Sequence, residues 1–272
     1  MDRCLEAVRT RRPLIHNITN YVTANDVANM LLACGASPIM ADEPREVEEI
    51  AECCAGLCIN IGTLCDRTVE AMLRAGQRAG ALGRVLVLDP VGAGASVFRT
   101  ETARSLMKEL PLTAIRGNMT EIKALFGGQT GTRGVDAALC DRVRENDLDR
   151  VIETVKAYAR AAGTILAVTG AADLVTDGER CYVIRNGREE MEHFTGAGCQ
   201  LSGLLTAYLA AAPGGALEAS AAAVCTMGLA GELAWERMRP GDGNTAYRDR
   251  IIDAVYRMDT DTWRKGARYE IR

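Results

Sequence analysis

The stretch Val85–Ser96, VLVLDPVGAGAS, decides the architecture. Four apolar residues run without a break into Asp89, with none of the alternation that marks a strand with one wet face. A strand of that composition is covered on both faces, as in a parallel sheet with helices above and below. An acid, a proline and a Gly-x-Gly turn follow at once, at the end of the strand where open α/β sheets carry their ligands.

The same kind of run returns on both sides of it. Ala36–Met40 (ASPIM), Leu57–Ile61 (LCINI), Leu112–Arg116 (LTAIR) and Thr164–Thr169 (TILAVT) are apolar segments closed by Gly, Asp or Asn. Helical patterns lie between them. In PREVEEIAECC, Val47, Ile50, Ala51 and Cys54 share a face, and Pro44 suits the first helical turn. Asp66–Leu82 and Leu148–Ala162 repeat the pattern. Strands separated by such helices imply right-handed crossovers and a three-layer α/β/α sandwich around a mostly parallel central sheet. Asp173–Asn186 (DLVTDGERCYVIRN) departs from this. Two β-like arms flank Asp177-Gly178, which predicts an antiparallel hairpin at the sheet edge. After it, GAGCQLSGLLTAYLAAA, a long Ala-rich segment and Thr245–Met258 make the last third mainly helical. No linker, repeat or low-complexity tract interrupts the chain, so residues 1–272 read as one domain.

Composition excludes several functions. The net charge is −4, and the arginines that supply nearly all of the 32 basic residues are scattered, so nothing draws nucleic acid. The N-terminus, MDRCLEAVRTRRPL, has no apolar core of a secretory signal, and no run approaches the ~18–20 residues of a membrane span. A cytoplasmic protein with reduced, buried thiols is the expectation for its ten cysteines.

The strand ends collect the chemistry. Asp89-Pro90, Arg116-Gly117-Asn118, Thr169-Gly170 and Met40-Ala41-Asp42 bring one arginine, acids able to hold a hard cation, and several glycines. That inventory suits a phosphorylated ligand with Mg²⁺. No Walker-type GxxxxGK[ST] is present, and VGAGASVF lacks the third glycine of a dinucleotide fingerprint. In GAGCQLSG, residues 196–203, Leu201, Leu204, Leu205, Tyr208 and Leu209 carry helical spacing, so a helix begins near Gly198. The turn before it can aim several N–H groups at one anion, or it can be a plain Gly-rich connection. Asn118-x-x-Glu121 is either a capping pair or part of a Mg²⁺-phosphate site. Cys53, Cys54, Cys58 and Cys65 lack zinc-module spacing and read as buried structural thiols. His193, six residues before Cys199, leaves a Cys–His dyad imaginable, but no third group orients it.

With these residues assembled, the chain resembles the hydroxyethylthiazole kinase family of the ribokinase-like superfamily. The resemblance rests on PLIHNITNYVTANDVANMLLACGASPIMADEPREVEEI, NIGTL, VLDPVGAGAS, IRGNMTEIKAL with the downstream RGVDA, VTGAADLVTDG and TGAGCQLSG, and it covers nearly the whole chain. It implies a ribokinase-like fold without a separate lid, and transfer of the γ-phosphoryl of ATP to the alcohol of 4-methyl-5-(2-hydroxyethyl)thiazole, a thiamine precursor. Arg116, Thr169, Asn118 and Thr195 would meet ATP. Asp89 and Glu121 would organise Mg²⁺ and the phosphates. The amides of Thr195–Cys199, with Gly196, Ala197 and Gly198, would form an anion hole. Met40, Gly196, Asn20 and Val22 would border the thiazole. The resemblance further implies a homotrimer with the pocket between subunits. Cys199 stands where many ribokinase-like enzymes carry an aspartate base, and is expected to act as a weak base or hydrogen-bond partner of the alcohol.

Three other functions fit parts of the pattern. A hydroxymethylpyrimidine or pyridoxal kinase shares the Gly-x-Gly-Cys turn, but its Asp-Ser-Gly N-terminal motif is replaced here by HNITN. A nucleotide-binding regulator predicts ATP binding without turnover. A cysteine hydrolase predicts activity without ATP.

Overall fold

The computed structural model describes residues 1–127, 148–212 and 215–272. RGVDA (residues 133–137) and Cys140 lie outside the described residues. One nine-stranded sheet organises the rest, in the order β2-β1-β3-β4-β5-β6-β7-β8-β9. Its strands are β1 (Leu14–Ile18), β2 (Ser37–Met40), β3 (Gly56–Asn60), β4 (Val85–Asp89), β5 (Ala114–Asn118), β6 (Ile165–Thr169), β7 (Asp173–Thr176), β8 (Cys181–Ile184) and β9 (Tyr269–Ile271). Pairings from β2 across to β6 are parallel. Those among β6, β7, β8 and β9 are antiparallel.

The helices are α1 (Cys4–Arg11), α2 (Ala24–Cys34), α3 (Val47–Cys53), α4 (Asp66–Ala81), α5 (Val97–Glu109), α6 (Met119–Phe126), α7 (Leu148–Ala162), α8 (Ala197–Ala211), α9 (Ala216–Glu236), α10 (Asn244–Arg257) and α11 (Thr260–Gly266). They sort onto two faces, each with its own apolar core. One core joins Ile15, Val87, Ala114 and Val175 of the sheet to α2, α8 and α9. The other joins Ile18, Leu57, Ile59, Leu86 and Leu88 to α4, α5 and α7. Alternate residues of the same strand therefore feed opposite cores, which is why β3 and β4 read as unbroken apolar runs.

Helix α8 is apolar on every side because it is covered on every side. It lies on β1, β3 and β4, with α1, α2 and α9 packed around it. Twelve of its fifteen residues are buried, including Gln200, Ser202 and Thr206. The helix is thus set in the middle of the fold.

The three-layer sandwich and the helical last third agree with the sequence, and the predicted hairpin forms as β7–β8, but one strand in from the edge because β9 pairs outside β8. Other details differ. β1 carries His16 and Asn17, polar side chains that interrupt the apolar pattern, yet both are buried in an interior strand. β9 is a three-residue edge strand with no sequence signature. Pro44 lies in the turn ahead of α3, not in its first turn. The apolar run at 112–116 sits early: Leu112 and Thr113 lead into the strand, and pairing continues to Asn118.

Candidate active site

The carboxyl ends of β1, β3, β4, β5 and β6 lie side by side along one edge of the sheet, and register decides which side chains meet there. Asn60 and Asp89 are paired residues on β3 and β4. Their side chains project to the same face, and Asn60 Nδ2 donates to Asp89 Oδ2 at 2.7 Å. Ser202, one turn into α8 from Gly198, donates to the same oxygen at 2.8 Å. Asp89 is fully buried, and its other oxygen, Oδ1, has no hydrogen-bond partner. Arg116 Nη1 stands 3.7 Å from that oxygen. Burial pushes the Asp89 carboxyl up to about 6, against the pull of the Arg116 charge and the two donors.

Arg116 reaches from β5 to β6, donating from Nη2 to Thr169 Oγ1 at 2.9 Å. Its guanidinium also packs against Gly198, where any β-carbon would collide with it. Gly196 caps α8 at φ +98°, a conformation that side-chain-bearing residues avoid, and Thr23 occupies the space beside it. The first intrahelical bond of α8 runs from Gln200 N to Gly196 O at 2.9 Å. The amides of Ala197, Gly198 and Cys199 precede it and have no helical partner. They stand at the positive end of a fifteen-residue helix, beside Arg116.

Asn118 and Glu121 form a reciprocal capping box on α6. Asn118 Oδ1 accepts from Glu121 N at 2.9 Å, and Glu121 Oε2 accepts from Asn118 N at 2.8 Å. Glu121 Oε1 accepts from Gly92 N at 2.9 Å, which ties the Gly-x-Gly turn after β4 to α6. The capping reading is what these two side chains do here. Each Glu121 oxygen retains acceptor capacity.

Among the described residues no three acids, histidines or cysteines gather as a metal cage. A magnesium ion needs less than that, because it keeps waters and takes phosphate oxygens as ligands. Asp89 Oδ1, a buried carboxylate oxygen without a hydrogen bond, is a ligand of the right kind, so Asp89 fits a Mg²⁺ that arrives with phosphate.

A cleft of about 630 Å³ opens at the tips of β1, β2 and β3, bordered by Asn17, Tyr21, Met40, Asn60 and Arg99. Met40 is half-exposed at its rim, whereas Val22 and Thr195 lie at the surface. Asn20 is buried, and its amide bonds within the protein. Cys199 is also buried. Its sulfur meets Asn20 Nδ2 at 3.2 Å and Asn60 Nδ2 at 3.3 Å, so amides stand where a hydrolase would place a histidine. Burial and the nearby Asp89 charge push the thiol up, against its hydrogen bonding with the side chains of Thr23, Asn20 and Asn60. His16 bonds to Ala41 O through Nε2 at 2.8 Å, on the opposite face of β1 from Asn17. Cys54 and Cys58 are buried, but Cys53 and Cys65 are exposed, which corrects the expectation that all four are interior thiols.

The sequence profile of the hydroxyethylthiazole kinase family matches residues 5–261. The chain belongs to the hydroxyethylthiazole kinase family. It is 52% identical over 266 residues to the hydroxyethylthiazole kinase of Clostridium acetobutylicum, covering 98% of this chain and 97% of that one. It superposes on a hydroxyethylthiazole kinase structure from Pyrococcus horikoshii with a TM-score of 0.88 at 35% identity, covering 99% of this chain and 98% of the other. A ribokinase-like superfamily protein from Enterococcus faecalis shares the fold, with a TM-score of 0.63 at 12% identity over 94% of each chain. No helix among the described residues is long and apolar enough to cross a membrane.

Proposed function

We infer that this protein transfers the γ-phosphoryl group of ATP to the hydroxyl of 4-methyl-5-(2-hydroxyethyl)thiazole, a step in thiamine biosynthesis or salvage. The near-full-length similarity to a hydroxyethylthiazole kinase carries this reading, and the geometry supplies a mechanism for it.

The nucleotide lies over the β4–β6 tips, with Arg116 and Thr169 on its phosphates and Asn118 and Thr195 beside it. The amides of Ala197, Gly198 and Cys199 point at the equatorial oxygens of the phosphoryl group in flight, where charge accumulates. Asp89 and, directly or through water, Glu121 would hold magnesium, which would supply positive charge to the phosphates. The thiazole occupies the cleft between Met40 and Gly196, bordered by the Asn20–Val22 segment, with its hydroxyl turned toward Cys199. In a loose transition state the alcohol gives up its proton late, so a protonated, buried thiol serves as hydrogen-bond partner of the hydroxyl while the proton passes to an oxygen of the transferred phosphoryl group.

The edge strand β2 and the turn before α2 present Tyr21, Val22 and Met40 to the surface, Tyr21 at 83% exposure. A cluster of that kind at the rim of the cleft fits burial against a second copy. A homotrimer in which a neighbour roofs the cleft explains how a kinase without a lid excludes water. We place the protein in the cytoplasm with its substrates.

The test is Mg²⁺-ATP turnover on a panel of thiazole, pyrimidine and pyridine alcohols, with light scattering for mass in solution. Preferential phosphorylation of the thiazole alcohol by a trimer is expected. Turnover of the pyrimidine or pyridine alcohol alone would assign a different vitamin kinase, and ATP binding with no acceptor would leave a regulator.

A further inference from the structure

The sulfur of Cys199 is gripped by two side-chain amides that cannot turn over. An asparagine ordinarily can exchange its donor and acceptor ends. Here each oxygen is pinned by a backbone N–H, a group that only donates. Thr23 N donates to Asn20 Oδ1 at 3.1 Å, and Gly62 N donates to Asn60 Oδ1 at 2.9 Å. Both NH₂ groups therefore face inward, and both reach Cys199 Sγ.

The remaining capacity of the pair is also used. Asn20 donates its other hydrogen to Asn60 Oδ1 at 3.0 Å, and its own oxygen accepts a second bond from Thr23 Oγ1 at 3.0 Å. Asn60 gives its other hydrogen to Asp89 Oδ2. Two donors and two acceptor bonds are thus satisfied on each amide, out of reach of solvent. A β-carbon on residue 62 would stand 2.9 Å from both Asn20 Cβ and Asn60 Oδ1, so only glycine lets the pair close up.

Such a network specifies one arrangement of its members. A sulfur that receives two N–H donors is an acceptor on that side, and its remaining direction is fixed by exclusion. Asn60 does more than hold the thiol. It also borders the cleft and bonds to Asp89, so it connects the alcohol's side of the site to the phosphate side.

We propose that Asn60, with Asn20, is the positioning pair for Cys199, fixing its sulfur as a hydrogen-bond acceptor in register with Asp89. This rests on the kinase reading above. It assigns Asn20 a role toward the thiol, and it brings Asn60 into the machinery without contact with the reacting atoms.

A double-mutant cycle on single-turnover phosphorylation tests it. Asn20→Ala lowers the rate about tenfold, and Asn60→Ala lowers it further because the Asp89 bond is lost too. In a Cys199→Ala background Asn20→Ala costs less than about twofold, and Asn60→Ala retains only the part due to Asp89. KM for ATP in the Asn20→Ala protein stays within about threefold of wild type. Equal costs in the two backgrounds overturn the proposal, because simple loosening of the loop would carry over unchanged. If Asn60→Ala does not fold, the Asn20→Ala arm decides.

A second readout needs no turnover. In crystals of the Asn20→Ala protein the Cys199 side chain should leave its wild-type rotamer or occupy two, and a single unmoved rotamer overturns the proposal. Failure of the wild-type enzyme to phosphorylate the thiazole alcohol sinks the kinase reading alone, and the crystals then judge the positioning pair.

Discussion

The guanidinium of Arg116 lies against the α-carbon of Gly198, in the space a β-carbon there would need. The arginine that faces Asp89 and the turn that offers its amides are therefore in direct contact. Gly198→Ala forces the guanidinium aside while leaving α8 intact, since alanine favours a helix. KM for ATP should rise about tenfold with Tm changed by no more than a few degrees. An unchanged KM would separate Arg116 from the nucleotide.

Gly196 makes a different demand. At φ +98° and with Thr23 beside it, alanine meets both backbone strain and a collision. Gly196→Ala should cost about 1–3 kcal/mol in denaturant unfolding, together with most of the activity. Wild-type stability in that variant would show that the turn has a second conformation of similar energy.

Burial pushes the Asp173 carboxyl up to about 7 from an ordinary 3.8, against weaker opposing effects of the Gly170 N–H and the Arg116 charge. Because the folded state binds this proton more tightly than the unfolded chain, the contribution is complete below about pH 4. It is lost as pH rises toward about 7. Asp173→Asn keeps an oxygen for Gly170 N and removes the titration. Between pH 5 and pH 8 the wild-type Tm should fall a few degrees further than that of the variant. Parallel curves would place the titration elsewhere.

Metal dependence follows from the donor count. With only Oδ1 of Asp89 free of hydrogen bonds at the proposed phosphate site, Mg²⁺ alone should raise Tm by less than about 1 °C, whereas Mg²⁺ with ATP raises it by several degrees. Chelation should abolish turnover reversibly. A large shift with Mg²⁺ alone would mean a preformed metal cage.

The parts of this site carried on uninterrupted apolar strands were legible in the sequence. Asp89 and Thr169 end such strands, Arg116 closes the apolar run of β5 two residues before the strand ends, and the Gly-Ala-Gly turn precedes a helix whose spacing is plain. Asn60 and Ser202 were not legible as site residues. Asn60 ends an apolar run as any strand-closing asparagine does, and only its register with Asp89 gives it a partner. Ser202 sits inside an apolar helix, and its meaning depends on which face of α8 lies on β4. Strand β1 escaped notice because His16 and Asn17 break the apolar pattern. His16 offsets part of its burial with a tertiary bond that no local rule reads, to Ala41 O, whereas Asn17 bonds locally to Ile15 O. Glu121 illustrates the reverse case: its capping bonds were readable from spacing, but its grip on Gly92 N required the fold.

Arg99, on α5, donates to the carbonyls of Ile61 and Val91 through Nη1, at 3.0 and 2.8 Å, and to Gly62 O through Nη2 at 2.8 Å. One side chain thereby rivets the loop after β3 to the loop after β4. These bonds oppose a jaw-like parting of the two loops, which would otherwise let one substrate open the entrance for the other. In the proposed arrangement the alcohol enters at the β1–β3 tips and the nucleotide at the β4–β6 tips. Initial-rate patterns should accordingly show random order of addition, with either substrate able to bind first and to leave without the other.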